Sequence, residues 1–137
     1  MSQHTPPPVT KRFFAALLLS ALLAPLPSSA TQVVRLDTRG LVRSSNDIVI
    51  GEVTSWHSYW NAEHTRIYTD VTFRVSETLK GASGTITITQ LGGEVDGARY
   101  RVPGSPQFRT GEESLLFVWR DRVGRAQVNG LAQGKFD

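Results

Sequence analysis

The chain is 137 residues long, has no cysteine, and carries 15 basic against 12 acidic side chains, a formal net charge of +3. The cysteine count excludes a disulfide scaffold, a thiol nucleophile and any thiolate metal site. Two of the cations, Lys11 and Arg12, belong to the N-terminal stretch, and without them the balance is 13 to 12. That leaves little electrostatic footing for a nucleic-acid partner.

Lys11 and Arg12 precede the run FFAALLLSALLA at Phe13 to Ala24, which Pro25 and Pro27 terminate ahead of the small residues Ser28-Ser29-Ala30. This is the layout of a secretory signal peptide cleaved near Ala30. A helix of that run spans roughly 18 Å, short of a hydrocarbon core of about 30 Å, so a membrane anchor is disfavoured. The stretch has no adjacent arginine pair and no cysteine to lipidate. The expectation is an exported protein, periplasmic or extracellular, with residues 31–137 as one domain and no membrane segment in the mature part. A domain of that size, lacking cysteine, has to be held by apolar packing and sheet hydrogen bonds.

In chain order, Asp37 is a good helix N-cap, and Leu36 and Leu41 stand where a hydrophobic staple forms. The spacing predicts a short helix ending near Ser44 to Asn46 and covering one end of a sheet. Asp47 to Trp56 reads as a first strand that starts with both faces covered (Ile48, Val49, Ile50) and bends at Gly51. His57 to Arg66 connects it to the next strand, with room to extend both into a long hairpin whose tip is near Asn61-Ala62-Glu63.

Ile67 to Gly81 reads as the stretch that holds the central strand, which leaves the sheet at Leu79-Lys80-Gly81. Ile67, Thr69, Val71, Phe73 and Val75 point one way, and Tyr68, Asp70, Thr72, Arg74 and Ser76 the other. After the turn Gly81 to Gly84 come strands at Thr85 to Thr89 and Ala98 to Val102, the second with Tyr100 and Val102 opposite Arg99 and Arg101. Pro103 to Gly111 holds two prolines and reads as a loop. Ser114 to Trp119 is expected to be a strand buried on both faces. Asp121 to Gly124 is a turn, Ala126 to Asn129 a sixth strand, and Gly130 to Asp137 ends abruptly, which leaves open that further sequence follows. The sum predicts a mainly β fold: a small five- to six-stranded, closed or partly closed barrel with one short N-terminal helix.

Three segments together resemble uncharacterised exported bacterial β domains and, more distantly, netrin-like (metalloproteinase-inhibitor-like) domains. They are Asn46 to Val53, the central strand closing on Leu79-Lys80-Gly81, and Gly111-Glu112-Glu113 before an apolar strand. The resemblance implies an OB-like five-stranded barrel over roughly residues 47–119. It does not carry over an activity, because inhibitors of that type bind a catalytic metal through an N-terminal cysteine, which this chain lacks.

The densest aromatic stretch holds Trp56, His57, Tyr59, Trp60, His64 and Tyr68. Tryptophan and tyrosine anchor partners well because they bury much area with little rotamer loss. In a continuing strand Trp56, Ser58 and Trp60 share one face, and His57 and Tyr59 the other. The same rings could instead plug one barrel end. His57, Glu63 and His64 are too loosely spaced for a zinc motif. Gly130 to Phe136 departs from a phosphate loop in spacing, and Phe136 stands where Ser or Thr is needed. The carboxylates Glu94, Asp96, Glu112 and Glu113 form no distinctive pair, and Ser105 lacks a nucleophile-elbow context. Arg66, Arg74, Arg99 and Arg101 beside Tyr68 and Tyr100 could line a nucleic-acid groove, yet alternate with acids as on an ordinary solvated sheet face.

The leading expectation is a non-catalytic exported module, without metal or cofactor, that binds a protein or peptide. The binding residues would be Trp56, His57, Tyr59, Trp60, Arg66 and Tyr68 of the hairpin with Gln107 and Phe108 of the loop. A small hydrolase or metal-dependent enzyme, and a structural envelope component, are the alternatives. Oligomeric state is left open.

Overall fold

The structure, a computed structural model, describes residues 2, 3 and 34–137. The expected signal peptide and its cleavage position lie outside the described residues. Helix α1 (Thr38–Ser44) is followed by β1 (Asp47–Trp60), β2 (Ile67–Lys80), β3 (Thr85–Leu91), β4 (Gly93–Val95), β5 (Ala98–Tyr100), β6 (Glu113–Arg120) and β7 (Ala126–Val128). A 3-10 turn (Leu131–Gly134) and the short β8 (Lys135–Phe136) close the order. The fold is mainly β with one short helix at the start of the described segment, as the patterning predicts.

The strands form a ring. β1 pairs antiparallel with β2, β2 with β3, and β6 with both β7 and β1, while β3 meets β7 in parallel at Ile88 and Ala126. β8 adds to β6 as the sixth strand of that sheet. The side chains of β2 that alternate inward, Ile67, Thr69, Val71 and Phe73, are all buried. With Val49, Val53, Ile86, Ile88, Leu116, Val118, Ala126 and Val128, the residues Val71 and Phe73 make the main core inside the ring.

Consecutive apolar residues occur where a strand is covered on both sides. Val49, Leu116 and Val118 face the ring interior, whereas Ile48 and Phe117 face out and pack with Leu41 of α1 and with Leu36. The helix begins as expected: the Asp37 carboxylate accepts from the Gly40 amide at 2.7 Å. Lys80 at the far end of β2 donates to the Val42 and Ser45 carbonyls, tying the helix C-terminus to the sheet. Trp119 is an exception to the expectation of burial on both faces, because it lies past the end of this covered stretch and is exposed.

β1 serves two neighbours by bending. Its first half, Asp47 to Glu52, pairs with β6, and the whole strand pairs with β2 through three register shifts. Gly51 stands at the second of them, where a Cβ would collide with the Arg74 carbonyl oxygen and the Phe73 ring. Only glycine lets the two strands approach this closely.

One expectation needs correction. Ala98 to Val102 is not a strand of the main sheet: β5 is shorter and pairs only with β4, in a separate two-stranded hairpin turned at Asp96-Gly97. The final segment makes a 3-10 turn and then bonds β6 through Lys135 and Phe136.

Candidate functional site: a groove between the long hairpin and two loops

Beyond Val53, β1 leaves β6 and continues as the outer strand of an arm beside β2, which β3 backs as far as Tyr68. The side of this arm that continues the ring interior carries Trp56 and Ser58 from β1 and Thr69 and Val71 from β2. The β4–β5 hairpin and the loop through Val102 to Phe108 face it, and between them lies a groove of about 310 Å³. Trp56 (57% exposed) and Tyr100 (48% exposed) present their rings along it, with Phe108, Gln90, Gln107 and Arg101 among the other lining residues.

The groove has a polar floor whose donors are spoken for. The Thr69 hydroxyl donates to the Gly92 carbonyl at 2.7 Å, so its single proton is used, and the Ser58 hydroxyl 2.7 Å away donates to the Thr69 oxygen. Gly93 makes this contact possible. Its φ of 143° and the crowding of a Cβ against both hydroxyls leave room for no other residue without displacement. At the rim Glu94 accepts from Arg99 at 2.8 and 2.5 Å.

The loop that forms one wall is fixed from below. Lys135, whose side chain is only 7% exposed, reaches Glu112 at 3.2 Å and the Asp137 carboxylate, and its ammonium lies 5.7 Å from the Phe108 ring centre. The hydrogen bond from Lys135, and then that from the Ser114 hydroxyl, hold the Asp137 carboxyl below its ordinary range.

The opposite side of the arm carries a second aromatic group. His57 stacks on Tyr59, Tyr59 on Tyr68, and the Arg125 guanidinium sits 5.4 Å over the Tyr68 ring. Asp70 accepts from Thr89 at 2.7 Å and from the Tyr59 hydroxyl at 3.3 Å. Burial, and after it the Asp70 charge, push the Tyr59 phenol up from its ordinary value. Arg125 is oriented by Asp121, which accepts from its Nε at 2.7 Å.

The residues expected to bind are therefore spread over the arm. Trp56, Gln107 and Phe108 line the groove. His57, Tyr59 and Tyr68 lie on the other face. Trp60 stacks on His64 near the tip, and Arg66 is an exposed turn residue whose amide bonds Asn61. Among the described residues, no three of His, Asp and Glu are gathered as a metal site. Ser58, Thr69 and Gln90 are groove residues that sequence reasoning did not single out as a site, and Tyr100 and Arg101 it weighed only for a nucleic-acid groove. They come from four separate segments, and no local pattern joins them.

Comparison with models of known families, with curated protein sequences and with solved structures returns no match.

Proposed function

We propose that the chain is a non-catalytic, exported binding module that takes a protein or peptide segment in the groove between the arm and the two loops. The observation that carries this reading is the Trp56 ring, more than half exposed, on the wall of a concave groove lined by both apolar and amide side chains. Rings so placed supply large contact area at low entropic cost, with Gln90 and Gln107 as adaptable hydrogen-bonding partners. The groove hydroxyls Ser58 and Thr69 are committed as donors to fixed acceptors, which suits a floor better than a nucleophile. Export is inferred from the leader-like N-terminal sequence.

The test is selection of a random dodecapeptide display library on the full chain. Enriched peptides are expected to lose about thirtyfold in affinity on Trp56→Ala, as for a central anchor. Failure of any peptide to enrich, or enrichment indifferent to Trp56, contradicts the proposal.

A further inference from the structure

We infer that the groove takes its peptide as an added β-strand on the outer edge of β1, and that this strand carries an acidic side chain to meet Arg101. The inference rests on the peptide-binding reading above and adds the mode of binding and the chemistry of the partner.

The hydrogen-bond parity of β1 fixes which backbone groups are free. The Val53 amide bonds the Glu112 carbonyl, and the Val53 carbonyl accepts from Gly111, both directed away from β2. After the register shift between Val53 and Ser55 the pairing runs without interruption to Trp60 and Ile67, and the Asn61 amide bonds the Arg66 carbonyl. In an antiparallel pair, residues that exchange bonds alternate with residues whose N–H and C=O point outward. Counting back from Asn61, residues Tyr59, His57 and Ser55 bond β2, and Trp56, Ser58 and Trp60 turn their backbone groups to the other edge. No strand or loop among the described residues bonds that edge beyond Val53.

Such an edge is normally blunted by lysine, proline or a covering element, because it templates another strand. Thr54 to Trp60 contains no lysine and no proline. The free backbone groups at Trp56 and Ser58 belong to the very residues whose side chains line the groove, so an added strand would send alternate side chains into it.

The charge of the rim selects the partner. Of the charged lining residues, Glu94 and Arg99 neutralise each other. Arg101 is exposed and has no carboxylate within ion-pair distance among the described residues. The groove thus offers one uncompensated guanidinium, and the complement is an extended segment, apolar at alternate positions, with a carboxylate within reach of that arginine.

The experiment uses a peptide enriched on the full chain, resynthesised with a single N-methyl amide at each position in turn. Strand addition requires a period-two pattern: N-methylation at alternate positions weakens binding about tenfold or more, and at the intervening ones changes little. Arg101→Glu is expected to weaken the acidic peptide about tenfold and to favour its lysine-substituted counterpart. A flat or irregular N-methyl profile in a peptide that still depends on Trp56 overturns strand addition and leaves the binding reading standing. Indifference to Arg101→Glu overturns the acidic complement. If no peptide enriches and the chain instead self-associates through β1 or retains an oligothymidylate, both readings fall.

Discussion

Single residues set the limits of the arm and the groove. At Gly51 a Cβ would run into the Arg74 carbonyl oxygen of β2, so Gly51→Ala forces backbone apart at a bend. The expected loss is about 2–3 kcal/mol in urea unfolding, in the range of overpacked cores. Asp121 offers a pH readout. Burial alone would raise its carboxyl, but hydrogen bonds from the Arg125 side chain and the Arg125 and Val123 amides outweigh it and hold the group below its ordinary value. A depressed carboxylate contributes stability above its unfolded value and loses it as pH falls through the folded value. Chemical-shift titration should therefore show Asp121 ionising below the ordinary aspartate value, with the Val123 and Arg125 amides shifting in the same step. A midpoint at or above that value contradicts the geometry.

At the scale of elements, the arm depends on its turn. Asn61 accepts from the Thr65 and Arg66 amides at 2.8 Å each, and its own amide donates to Glu63 and Thr65. Asn61→Ala removes these bonds at an exposed site and is expected to cost about 1–2 kcal/mol. Amide exchange should accelerate at Tyr59 to Arg66 while the ring core, with the β2 residues that pair with β3, keeps its protection; uniform acceleration would show that the arm is no separate element. The central strand is legible in the sequence because alternation maps directly onto burial. The bend at Gly51 is legible because a glycine inside an apolar strand marks a bulge or a close backbone approach. The β4–β5 hairpin is legible in principle: Asp96 and Gly97 both take positive φ, 50° and 81°, the turn that an Asp-Gly pair signals. It escapes sequence reading because the preceding Gly92-Gly93 looks like the turn itself.

For the molecule as a whole, closure of the ring is uneven. β1 and β2 pair along almost their whole length, whereas β3 and β7 meet at one residue pair, Ile88 and Ala126. Native-state exchange is expected to be slowest at Val49, Val71 and Leu116 and to open first along β7. The overall class follows from the sequence, since strand periodicity and turn residues are local properties. The groove does not, because Trp56, Thr69, Tyr100 and Phe108 meet only after the strands close. The aromatic density at Trp56 to Tyr68 marks the right arm, but its rings divide between two faces, and only the Trp56 side opens onto the groove.

Binding in the groove requires that Trp56 be displayed on its wall, unlike Phe73, which is fully buried. Urea unfolding of Trp56→Ala and Phe73→Ala beside the parent chain measures this directly. The expected result is a loss of about 3–5 kcal/mol for Phe73→Ala and less than about 1 kcal/mol for Trp56→Ala. A loss at Trp56 as large as that at Phe73 would make the ring part of the packing and leave the groove without its anchor.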